Sequence, residues 1–147
     1  MSGMSNYLEG KLIDHIFRGS AFTMPSNLYI ALMTTNAADT DTGTSISNGT
    51  GTGVEVSSSS TGYARQAIAP TSGNWSAASA SGITGNSNSL TYPQATANWG
   101  TIVGIAICDQ SVGGNMLFYG ALSVNKVVNT GDTFQFTSGQ LQVQIDN

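Results

Sequence analysis

The sequence predicts a mainly β, single-domain fold, a β-sandwich or jelly-roll-like arrangement with one short N-terminal helix and long Ser/Thr/Gly-rich loops. Three observations carry that expectation. Only 8% of the residues are charged while 39% are hydrophobic, against roughly a quarter charged in ordinary soluble domains. The polarity comes from Ser, Thr, Asn and Gly, whose short side chains compete for backbone hydrogen bonds and favour turns over helix interiors. The apolar runs beyond residue 25 are short, rich in β-branched and aromatic residues, and separated by Gly-rich turns, the punctuation of an antiparallel sandwich. The chain of 147 residues has the size of one domain, about 100–200 residues, so residues 1–147 are expected to form a single unit.

The helix is read at Asn6–Gly19, where Leu8, Leu12 and Ile16 recur at i, i+4 and i+8, flanked by Ile13 and Phe17. Asn6 with Glu9 makes a capping box, and Gly19 is placed to stop the helix. Under four turns long, it is marginal alone. Its apolar stripe therefore packs on the domain's own sheet or on a neighbouring subunit, which makes Leu8, Leu12 and Ile16 candidate interface residues.

Leu28–Thr35 follows, with apolar residues on both alternating faces, the pattern of a strand covered on both sides. Asn36–Gly62 is read as a long loop, because so few of its side chains are apolar that burial within one domain does not offset an ordering cost of about 1–2 kcal/mol per residue. Contacts from outside the domain are expected to hold it. Tyr63–Ala69 resumes order. Pro70–Ser89 is a second long loop, anchored by Trp75, a further candidate interface residue because it has few apolar companions in sequence.

Leu90–Tyr92 reads as a short strand ended by Pro93, and Thr101–Cys108, the most apolar run, as a central strand with Gly104 marking a bulge or a close neighbour. Gly113-Gly114-Asn115 turns that strand into Met116–Ser123 as a hairpin. Thr133–Thr137 and Gln140–Ile145 close the chain with period-two patterns.

Charge and motif content exclude several functions. Four Lys and Arg against eight Asp and Glu cannot assemble a phosphate-neutralising patch, so nucleic acid is not an expected partner. A basic amphipathic helix is lacking, and no apolar run approaches the roughly 20 residues that span a bilayer. Met1–Asn6 has no cationic start leading into an apolar stretch, so synthesis in a cytoplasm is expected. Cys108 fits a buried, unpaired thiol.

Nucleophilic catalysis needs a base beside the nucleophile, and His15, the single histidine, lies on the charged helix face. Asp39-Thr-Asp41-Thr-Gly43 offers alternate carboxylates but lacks the later bidentate Glu of a calcium loop. Gly49-Thr-Gly51-Thr-Gly53 lacks the strand, helix and Lys of a phosphate cradle. Nothing pairs Glu9, Glu55, Asp109 or Asp132 as a carboxylate dyad, and Arg65 is expected in an ion pair with Glu55 or Asp109. No catalytic, cofactor-binding or metal-ligating residue is therefore assigned, and the protein is read as not an enzyme.

The segments Ser5–Thr35, GYARQ at Gly62–Gln66, NWGTIVGIAICD at Asn98–Asp109, GGNMLFYGAL at Gly113–Leu122 and VNTGDTFQFTSGQLQVQID at Val128–Asp146 resemble a family of small phage virion proteins, commonly labelled tail fibre proteins and including capsid decoration or cement proteins. The resemblance implies a small β-sandwich virion component, often homotrimeric and without catalytic activity, made in the host cytoplasm. The leading expectation is a capsid cement protein stabilising contacts between capsomers, with the major capsid protein or other virion proteins as partners. The alternative is a tail-fibre or baseplate module that recognises the host surface.

Overall fold

A computed structural model describes residues 2–145. In chain order the elements are β1 (Ser2–Met4), α1 (Asn6–Arg18), β2 (Leu28–Thr35), α2 (Gly43–Asn48), β3 (Val54–Glu55), β4 (Gln66–Ile68), β5 (Ile83–Gly85), β6 (Leu90–Thr91), β7 (Gly100–Cys108), β8 (Met116–Val128), β9 (Gln135–Phe136) and β10 (Gln142–Gln144). Strand accounts for 34% and helix for 13%, so the mainly β, single-domain expectation holds.

The most apolar runs become the middle of a six-stranded antiparallel sheet in the order β1-β8-β7-β2-β3, with β4 also on β2. β2 and β7 pair from Tyr29↔Cys108 to Met33↔Gly104, and both faces of β2 are covered. Ile30 and Leu32 face one apolar cluster, Ala31 and Met33 the other. Over the first face lie two two-stranded ribbons, β5–β10 and β6–β9, which bring Tyr92, Phe134, Phe136, Leu141 and Val143 down onto Ile105 and Ile107. Phe134 stands edge-on to Tyr92 at 5.7 Å and to Phe136 at 5.1 Å, an arrangement that ring quadrupoles favour. Over the second face Ile46 of α2 packs with Ala106, Cys108 and Met116.

Gly104 has the two features expected of it. Between Ile102↔Lys126 and Gly104↔Ala121 the register of β7 against β8 shifts, so β8 uses more residues than β7 across the step. A Cβ at Gly104 would also fall 2.7 Å from the carbonyl oxygen of Gly120.

Three expectations are corrected. The cap of α1 is Ser5, not Asn6: Ser5 is extended, and its Oγ accepts from Leu8 N–H while donating to the Met116 carbonyl of β8. Asn36–Gly62 is not a loop awaiting a partner, since it contains α2 and β3. Its order comes from hydrogen bonds rather than apolar area. Asp41 Oδ2 accepts from the N–H groups of Ala38 and Gly53, and Oδ1 from Thr52 N–H and Ser45 Oγ. Thr42 and Ser45 cap α2 reciprocally, and Ile46 is wholly buried. Pro70–Ser89 likewise carries β5, whose neighbour Asn86 bridges to Trp75.

Candidate functional site

Helix α1 is fastened at one end and free at the other. Its N-terminus is tied through Ser5 to β8, and Leu8 is buried within the chain, leaving little of it for a neighbour. Leu12 is half-buried. Beyond it the stripe turns outward, with Ile13 57%, Ile16 68% and Phe17 79% exposed. Gly19 ends the helix at φ +67°, and its N–H reaches the Asp14 carbonyl. The chain then folds back so that Phe22 N–H donates to His15 Nδ1 at 3.4 Å. The helix therefore presents an apolar tip, the kind of patch that marks a contact surface.

Trp75 stands in the wall of an apolar pocket of about 600 Å³ shared with Leu28, Ile107, Phe118, Val143 and Ile145. Its loop is positioned by Thr71, whose carbonyl accepts from the N–H groups of Asn74 and Trp75. Buried Asn86 is the other fixing point, donating to the Asn88 and Thr137 carbonyls and accepting from Leu141 N–H. Trp75 Nε1 is buried and has no hydrogen-bond partner among the described residues, a condition that costs about 1–3 kcal/mol. Trp99 Nε1, by contrast, donates to the Thr61 carbonyl at 2.9 Å.

Most of the polar residues weighed for chemistry are engaged elsewhere. Glu55, one of the two partners considered for Arg65, holds its guanidinium with Nη2 to Oε2 at 2.7 Å and also accepts from Tyr63 Oη. Burial together with the Glu55 charge pushes the Tyr63 phenol well above its usual range. Asp109 accepts from Asn115, and Asp132 from Asn129 N–H. Burial raises the Cys108 thiol to about 12, so it is not a thiolate at neutral pH, and it lies in the core while His15 is on the surface. Asp41 is acidified: burial works against its charge, but the hydrogen bonds from Ala38, Gly53, Thr52 and Ser45 outweigh it.

Of the residues singled out in the sequence, the fold exposes Ile16 and sets Trp75 in a pocket, while Leu8 goes to the interior. Ile13 and Phe17, read only as flanking residues, are with Ile16 the most exposed part of the stripe. A helix anchored at its N-terminus and leaving the sheet at its C-terminus turns successive apolar positions from core to solvent. Among the described residues no helix is long and apolar enough to cross a membrane. Compared with known families, residues 3–144 match the one described as Podophage GP4 fiber I protein gp80. No curated protein matches the chain.

Proposed function

The chain belongs to that phage fibre-protein family, and from this premise we propose that it is a non-enzymatic building block of a phage fibre that works through contacts between copies of itself. The observation that carries the reading is the apolar tip of α1, where Ile13, Ile16 and Phe17 stand in solvent on a helix too short to be stable without packing. Three copies per unit is the stoichiometry favoured by the resemblance, and closed symmetry repeats each weak contact around an axis. Leu12 and Ile16 contribute to those contacts, and the finished assembly resides in the virion.

Capsid cement is the second reading. Long loops held by contacts from outside the domain would suit it, and Asp41 ties the longer of them into the chain itself, which favours the fibre role. Immunogold labelling of intact particles separates the two: gold on fibres supports the first reading, and gold spread evenly over the head replaces it with the second. Light scattering on the purified protein at micromolar concentration tests self-association, and a stable monomer overturns the homo-oligomer.

A further inference from the structure

Each chain carries a convex and a concave apolar feature that it does not bring together. The convex one is the tip of α1, led by Phe17 at 79% exposure. The concave one is the pocket of about 600 Å³ bordered by Leu28, Trp75, Phe118 and Ile145, within the range that accommodates a ligand-sized group. We propose that the tip of α1 of one copy seats in the Trp75 pocket of the next, so that every chain supplies one knob and one socket. The proposal deepens the self-association reading and rests on it.

Charge on both sides agrees with this occupant. No residue lining the pocket is charged. The tip brings little net charge into it, because Arg18 and Asp14 pair with each other at 3.6 Å. Trp in a desolvated pocket is among the residues that most often dominate a contact. A knob in another copy's socket is a heterologous contact, which closes into a ring when its rotation permits.

The test uses the full chain and two surface variants, with folding checked by circular dichroism. Phe17→Asp removes the knob, and Ala78→Trp fills the socket from an exposed lining position. Each variant alone is expected to fall from the wild-type oligomer to the 15.1 kDa monomer in light scattering. Mixed in equal amounts they are expected to form a dimer and stop, because one intact knob meets one intact socket. A wild-type oligomer indifferent to either substitution, or two monomeric variants that fail to associate when mixed, overturns the contact and leaves self-association standing. A monomeric wild type overturns both.

Discussion

Arg65 and Glu55 meet as a two-pronged buried pair, Nη2 to Oε2 at 2.7 Å and Nε to Oε1 at 2.9 Å, with side chains only 1% and 5% exposed. The remaining guanidinium hydrogens reach the carbonyls of Gly43, Gln110 and Gly113. One side chain thus joins the start of α2, the strand β3 and the β7–β8 turn. Removing one partner of a buried pair leaves the other charge without compensation, at about 3–5 kcal/mol. Arg65→Met is expected to lose that much in urea denaturation, and adding Glu55→Leu to recover part of it. A loss under about 1 kcal/mol, the scale of an exposed pair, would contradict the clasp.

Asp41 makes stability pH-dependent with a definite sign. Its carboxyl is held below its ordinary value of 3.8, so its contribution is complete above that value and is lost as pH falls through the lower folded value. Asp41→Asn is expected to flatten the acid limb of stability against pH and to speed amide exchange at Thr52 and Gly53. An unchanged acid limb in the variant would sink this assignment.

Gly104→Ala puts a methyl group 2.3 Å from Asn36 Oδ1 and 2.7 Å from the Gly120 carbonyl oxygen. Asn36 can swing aside, but the Gly120 carbonyl belongs to β8. Overpacking of this kind costs about 1–3 kcal/mol and is expected to lower Tm by several degrees in a thermal scan. A Tm within about 1 °C of wild type, less than 1 kcal/mol at this size, would show that the sheet accommodates the group.

Cys108 is inaccessible and its thiol is raised to about 12, chiefly by burial. Iodoacetamide at pH 8 is expected to leave it unmodified in the folded protein and to label it fully in urea, as followed by mass spectrometry. Rapid labelling of the native state would place the thiol outside the core.

The sheet was legible because its signals are local. β2 alternates two apolar faces, and Gly113-Gly114-Asn115 announces the turn before β8. Arg65 was legible because so few cations compete for its acidic partners. Asp41 and α2 were not. Their order arises when one carboxylate gathers donors from positions 38, 45, 52 and 53, a spacing with no period, and α2 is capped by Ser45 where the familiar signature has Glu or Gln. The candidate surface was half legible: the stripe of α1 was evident, but which end faces solvent depends on where Ser5 is tied, and its tether at Met116 lies 111 residues away.

That tether also sets a timetable. Residues 2–4 pair with 118–120 of β8, so the segment around Ser5 is made 111 residues ahead of the strand that seats it. At about 5–20 residues per second, several seconds pass in which α1 has been made but has no fixed seat.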